Sequence, residues 1–319
     1  MDELELLVQA VRKSPKYRNI CLDVVRNVGA RELAARRNWR EAVKATKNKL
    51  HQVGAAYLDG VPRKGGTAAP RTQRGVEYRG GSLDYTAWLA SLRSAAAAGD
   101  EAGLRRICRA AMQHHSSTRE RLTILDQFYA RTLAGLPPPR VVLDIACGLN
   151  PLAIPWMPFA SLKTLPFASL KTLPFASLKT LPFASLKTLA LAPGVQYYAY
   201  DMYVDLAGFL NAFLDIAGVQ GRAEACDVST SPPTRPADLA LILKTLPCLE
   251  QLDKLAGVRL LEAVQAEYLL VSFPVRSLGG RDKRMLENYQ ARFQELLRNK
   301  PWSVQRFEFS TELAFLIRK

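Results

Sequence analysis

Three short stretches carry residue types that could hold a nucleoside. VVLDIACG (141–148) is an apolar run ending in a glycine turn, VQYYAYD (195–201) ends in Asp201, and AEACD (223–227) ends in Asp227. Gly148 lets backbone approach a ligand closely. A carboxylate at 201 can accept two ribose hydroxyls, and Asp227 or the next amide can meet an adenine edge. One such Asp alone would read as a strand-terminal cap; the ordered set favours nucleoside binding outside the carboxyl ends of a parallel sheet. A dinucleotide's pyrophosphate calls for G-x-G-x-x-G after the first strand. The turn here, ACGLNPLA, holds a single glycine. S-adenosylmethionine (SAM) carries no phosphate and tolerates such a turn, so a methyltransferase is favoured over an oxidoreductase.

The elements that must position these residues alternate between strand and helix. ADLALILKTLP (237–247) and YLLVSFP (268–274) read as a fourth and fifth strand. A helix is expected after Asp201, with Leu206, Phe209, Leu210, Phe213 and Leu214 on one side, and another around 283–298. WSVQRFEF and ELAFLIRK close the chain as a strand pair. The pattern predicts an α/β fold with an open, doubly wound sheet.

Upstream the chain changes character. Residues 2–58 read as helices with Leu4, Leu7, Val8, Val11, Val24, Val25 and Val28 at helical spacing. VPRKGGTAAPRTQRGVEYRGGS (61–82) reads as a flexible loop, helices resume after it, and LPPPR (136–140) marks a boundary. Two domains are therefore expected: a helical one over 1–135 and the sheet domain over 136–319. The net charge of +15 is unevenly placed: residues 1–140 hold 25 Lys and Arg against 13 Asp and Glu. Such polarisation marks a polyanion-binding module, with nucleic acid favoured over a merely solvated face. The start MDELELLVQA is not a signal peptide, and no apolar run spans a membrane. The five cysteines form no C-x-x-C pair, which argues against a metal site and for the cytoplasm.

LDIACGLNPLAIPWM (143–157) resembles the strand-one segment of the aminoglycoside-resistance 16S rRNA methyltransferases of the Arm/Rmt group, which modify N7 of guanine 1405. KYRNICLDVVRNV (16–28), LHQVGAAYL (50–58), HSSTRERL (115–122), DLALILKTLPCLEQ (238–251), SFPVRSLGGRDKRMLENY (272–289) and TELAFLIRK (311–319) match in family order. The resemblance implies a class I SAM-methyltransferase domain. It also implies a helical module that docks on 16S rRNA in the 30S subunit, in an enzyme expected to be a monomer. It places SAM contacts at Ala146, Gly148, Asp201, Asp227 and Val228, with Thr118 and Arg121 reaching the methionine end. HSSTRERL also reads as a capped helix start, Ser117 being the cap; both readings stand together. Lys244 and Arg276 are expected to orient the reactants. Lys13, Lys16, Arg18, Arg26, Arg36, Arg37, Arg40, Arg281, Lys283 and Arg284 are expected to face RNA. Guanine N7 has a free lone pair, so no general base is required. His114, His115 and Cys147 read better as packing residues than as catalysts.

One segment fits none of this. PFASLKTL is repeated four times without change at 158–189. Its prolines exclude one continuous helix and strict strand alternation is missing, so broken helical turns or a disordered excursion are expected. It should lie at the amino-end edge of the sheet, away from the cofactor. Perfect identity points to tandem duplication rather than to a selected binding repeat.

Overall fold

The computed structural model describes residues 2–54, 85–164, 187–191, 194–275, 284–298 and 300–319. The expected loop at 61–82 lies outside them. Three helices open the chain: α1 (Glu3–Arg12), α2 (Leu22–Ala35) and α3 (Trp39–Val53). They pack on one another through Leu7, Val8, Val11, Val24, Val25, Val28 and Leu50. Four more follow: α4 (Thr86–Ala97), α5 (Glu101–Met112), α6 (Ser116–Arg121) and α7 (Leu125–Thr132).

The sheet domain begins with β1 (Val141–Ile145), then a 3-10 turn at Asn150–Trp156. Beyond the array come β4 (Gln196–Asp201), α8 (Val204–Ala217), β5 (Gln220–Ala225) and β6 (Ala237–Leu243). The chain closes with α9 (Leu246–Leu252), α10 (Ala256–Ala263), β7 (Ala266–Pro274), α11 (Arg284–Leu297), β8 (Ser303–Glu308) and β9 (Glu312–Arg318). The sheet order is β5-β4-β1-β6-β7-β9-β8; β9 runs antiparallel to β7 and β8, and the other pairs are parallel. The chain winds outward from β1 in one direction and then from β6 in the other. This leaves a crevice between the carboxyl ends of β1 and β6.

Strand alternation divides the core in two. Val142, Leu239 and Leu241 face a layer formed by α8 and the helices before β1, whereas Leu143, Ile145, Ala240 and Ile242 face α9, α10 and α11. Fully burying each of these Val, Leu and Ile side chains contributes about 1.5–3 kcal/mol. The apolar core runs unbroken from α1–α3 into the sheet. The expected division at 135/136 is therefore not a break in packing: α4 packs on α8, and α5 and α7 pack on the 3-10 turn.

Two strand boundaries differ from expectation. The third strand ends at Ala225, and Asp227 sits in the turn beyond it. Gly221 makes that earlier start possible, because a Cβ there would lie 1.9 Å from the Tyr197 carbonyl oxygen on β4. The fourth strand stops at Leu243, and Pro247 lies in the first turn of α9.

The array is also corrected. Its first unit supplies β2 (Ala160–Thr164), and the end of its last unit with Ala190 and Leu191 supplies β3 (Lys187–Leu191), the two paired antiparallel with Thr164 opposite Lys187. Proline bounds the runs that hold these strands rather than interrupting them: β2 lies between Pro158 and Pro166, and β3 between Pro182 and Pro193. Residues 165–186 lie outside the described ones. Pro158 and Phe159 pack beside Pro137, Pro138, Pro139 and Leu239, at the amino ends of β1 and β6.

Candidate cofactor site

The carboxyl ends of β1, β4, β5 and β6 meet around a cavity with an empty volume of about 780 Å³, part of it open solvent. Two turns flank the crevice in the left-handed region: Ala146 at φ 52° and Lys244 at φ 59°. Each costs roughly 1 kcal/mol for a residue with a Cβ. Neighbouring bonds hold them there. The Cys147 amide donates to Tyr200 O (3.0 Å), the Lys244 amide to Ser272 O (2.9 Å), and Thr245 Oγ1 to Ile145 O (3.1 Å).

Asp201 lies at the floor of the cavity. Its Oδ2 accepts from the Gly148 amide at 2.9 Å, and its Oδ1 from the amides of Met202 (2.8 Å) and Tyr203 (3.3 Å). Burial raises its pKa above the usual carboxylate value, opposed by those amides. Asp227 closes an Asx turn, accepting at Oδ1 from the Ser229 amide (3.0 Å) and hydroxyl (2.5 Å). Its Oδ2 accepts from Asn27 Nδ2 on α2 at 2.8 Å. Burial pushes its pKa up, but the bonds from Asn27, Ser229 and Thr230 outweigh that and hold it low. Both carboxylates keep acceptor capacity toward the cavity.

Of the expected cofactor residues, Ala146, Asp201, Asp227 and Val228 line this cavity, as does Lys244. Gly148 shapes its wall from behind: at φ 52° it lies so close to the His115 ring that an added Cβ would sit 2.7 Å from it. Thr118 and Arg121 do not line it. The Thr118 hydroxyl donates to Met112 O (2.7 Å) and His115 O (3.1 Å), closing the end of α5. The Arg121 guanidinium is buried, 2.8 Å from Glu312 and 2.8 Å from Asn150 Oδ1, so its charge is already matched. The capping expectation is corrected too. Helix α6 starts at Ser116 with His115 as its N-cap, and no side chain makes the capping bond.

Behind the cavity runs a buried polar chain that the sequence did not disclose. Asp144 accepts from Tyr197 Oη (2.6 Å) and Asn150 Nδ2 (2.9 Å), and burial lifts its pKa to about 6. Asn150 connects to Arg121, Arg121 to Glu312, and Glu312 lies 3.2 Å from Lys244 Nζ. Lys244 also meets Glu120 at 2.7 Å and Ser117 O at 3.1 Å. Burial, with Lys244 and Arg121 nearby, pushes His115 down to about 3, so its ring is neutral at neutral pH. Burial also raises the Cys147 thiol well above its usual value. Neither suits acid–base or nucleophilic work. Asn150 and Glu312 stand in quoted motifs, but nothing local links them. His115 and Lys244 approach only when β6 pairs with β1.

The basic residues divide by environment. Lys13, Arg18, Arg37 and Arg40 are exposed. Arg36 pairs with Glu32 (3.3 Å), Arg26 with Glu5 (2.8 Å), and Lys16 Nζ lies 2.8 Å from His51 Nδ1. Such surface pairs contribute little and are easily exchanged for phosphate. Arg276, Arg281 and Lys283 lie outside the described residues. Arg284 opens α11. Among the described residues, no helix is long and apolar enough to cross a membrane.

The family described as "Ribosomal RNA methyltransferase (FmrO)" matches residues 13–170 and 175–316. The 16S rRNA (guanine(1405)-N(7))-methyltransferase of Micromonospora echinospora is 33% identical over 319 residues, covering 100% of this chain and 97% of the relative. That of Frankia casuarinae is 33% identical over 313 residues, covering 98% and 92%. A crystal structure of the 16S rRNA methyltransferase RmtF in complex with S-adenosyl-L-homocysteine superposes with a TM-score of 0.69 at 27% identity, covering 100% of this chain and 99% of that one.

Proposed function

Because the chain belongs to the FmrO ribosomal RNA methyltransferase family, we propose that it methylates N7 of guanine 1405 in 16S rRNA from SAM, and so confers aminoglycoside resistance. The observation that carries this reading is the pair Asp201 and Asp227 at neighbouring strand ends around one cavity. The turn beside them has the single glycine Gly148 and no pyrophosphate cradle.

The donor set fits the cofactor. Asp201 would hold the ribose, Asp227 and the Val228 amide would hold the adenine, and the backbone at Ala146 would lie against the nucleoside. When bound, SAM supplies a methyl group made electrophilic by its sulfonium. A guanine N7 lone pair would accept that methyl as the S–C electrons remained on sulfur, and the positive charge would pass to the purine with no proton to remove. A neutral His115 and a protonated Cys147 are consistent with that chemistry. Lys244, held by Glu120 and Glu312 at the crevice, orients the reactants, and catalysis is chiefly alignment.

Docking falls to the basic helices. Exposed Lys13, Arg18, Arg37 and Arg40, with Lys16, Arg26 and Arg36, meet the phosphates of 16S rRNA in the 30S subunit. The enzyme works as a single chain in the cytoplasm, where that substrate resides. The test is transfer of labelled methyl from SAM to purified 30S subunits, followed by mapping of the modified base. Label on N7 of guanine 1405 is expected; label elsewhere overturns the substrate, and none with bound SAM overturns the activity. Reversing Arg36, Arg37 and Arg40 to Glu should abolish 30S binding and leave SAM binding intact.

A further inference from the structure

The cavity is not built by the sheet domain alone. Val24 of α2, Val53 of α3 and Gly54 line it beside Asp227 and Met202. Residues 19–27 are stitched across the ends of β4 and β5. The Cys21 amide donates to Met202 O (2.8 Å), and the Val204 amide to Asn19 O (2.8 Å). Asn19 Nδ2 meets Asp205 Oδ2 at 2.9 Å, and Ile20 bridges Tyr203. At the far end of this seam, Asn27 Nδ2 donates both to Asp227 Oδ2 and to Thr230 Oγ1, each at 2.8 Å.

This second contact matters for chemistry. A carboxylate has about four acceptor sites. Ser229 takes two on Oδ1 through its amide and hydroxyl, and Asn27 takes one on Oδ2. Little acceptor capacity is left for a ligand, and its direction depends on how these partners hold the carboxylate. Thr230 also hydrogen-bonds this carboxylate, and Asn27 holds Thr230 Oγ1 as well, so loss of Asn27 removes one anchor of the carboxylate and loosens another. The turn that carries Asp227 is short and the residue is buried, 5% exposed. An anchoring bond from a different part of the chain therefore helps to set the direction in which the remaining acceptor capacity points.

We propose that Asn27, on the basic helical module, is a positioning residue for the cofactor: it orients Asp227 so that one oxygen receives the nucleoside. The inference rests on the SAM reading above. Its consequence is that the surface expected to dock on RNA and the pocket that binds the cofactor share a side chain. Affinity for SAM is then set partly from α2.

The test uses the full chain and S-adenosylhomocysteine as probe, with calorimetric titration and steady-state kinetics on 30S subunits. Wild type must bind the probe; failure would remove the cofactor reading and this proposal with it. Asn27→Ala should weaken probe binding about tenfold, the effect of one charge-assisted hydrogen bond. It should raise KM for SAM equally, with kcat and KM for 30S unchanged. Asn27→Asp should weaken it further, through repulsion between adjacent carboxylates. In an Asp227→Asn background, Asn27→Ala should add little, because the partner it orients has already been changed. Additive losses in that background would overturn the proposal. So would a lower melting temperature at unchanged probe affinity, or a change confined to KM for 30S.

Discussion

Gly148→Ala is the most informative single substitution in the cofactor turn. Gly148 has φ 52°, and Ala146 tolerates the same φ two residues earlier. Left-handed strain alone, roughly 1 kcal/mol, is therefore not prohibitive here. Space is what distinguishes the two positions. A Cβ on residue 148 would lie 2.7 Å from both Cε1 and Nε2 of His115, and 3.2 Å from Cδ2. His115 is buried, 8% exposed, so its ring has little room to retreat. Overpacking of this kind costs about 1–3 kcal/mol, giving roughly 2–4 kcal/mol with the backbone term. The displacement also moves the Gly148 amide off Asp201 Oδ2, so cofactor affinity should fall with stability. Urea unfolding and titration with S-adenosylhomocysteine measure the two effects. Comparison of Gly148→Ala, His115→Ala and the double variant isolates the overlap: removing the ring should return the packing part and leave the backbone part. A Gly148→Ala protein within about 0.5 kcal/mol of wild type, or strictly additive losses in the double variant, would refute this account.

Three further outcomes are expected. His115 has its pKa lowered from 6.5 to about 3, with burial the main cause. The unfolded chain therefore binds more protons between those values, and stability, complete above 6.5, should fall by roughly 2 kcal/mol from pH 6.5 to 5. Urea midpoints against pH should show this slope, and His115→Asn should flatten it. Glu312→Ala leaves Arg121 and Lys244 facing a buried gap; it should cost about 3–5 kcal/mol in urea unfolding. Deleting residues 166–181, two whole units of the array, should change stability by less than about 1 kcal/mol and leave S-adenosylhomocysteine affinity unaltered. A large loss of affinity would show that the array reaches the cofactor cavity.

The sheet was legible because its signals are local. VVLDI and YLLVSFP are apolar, β-branched or aromatic, and bounded by breakers, and the acids after β4 and β5 stand out against them. Strand ends were less legible. Gly221 extends β5 backward for a reason visible only beside Tyr197 of β4, and Asp227 follows the strand in an Asx turn instead of ending it. The polar network was not legible. Asn27 finds Asp227 200 residues away, and Arg121 finds Glu312 191 residues away, pairings that no spacing rule carries. Motif position reads Arg121 as reaching a ligand carboxylate; the fold sets its guanidinium beside the Glu312 carboxylate, a pairing the motif does not show. The array strands escaped because strict strand alternation is missing from the repeat, and the pairing that makes them strands joins its first and last copies.

The ladder between β2 and β3 has a genetic consequence. The segment before Thr164 is drawn from the first copy, and the segment after Lys187 from the last copy together with Ala190 and Leu191. All copies are identical, so gain or loss of one leaves the same letters on both sides of the clamp, in the same register. The pairing is blind to copy number. Alleles that lengthen or shorten by whole units during replication would present selection with one and the same junction. A tract of this kind can drift in size across a lineage while the enzyme around it keeps its shape.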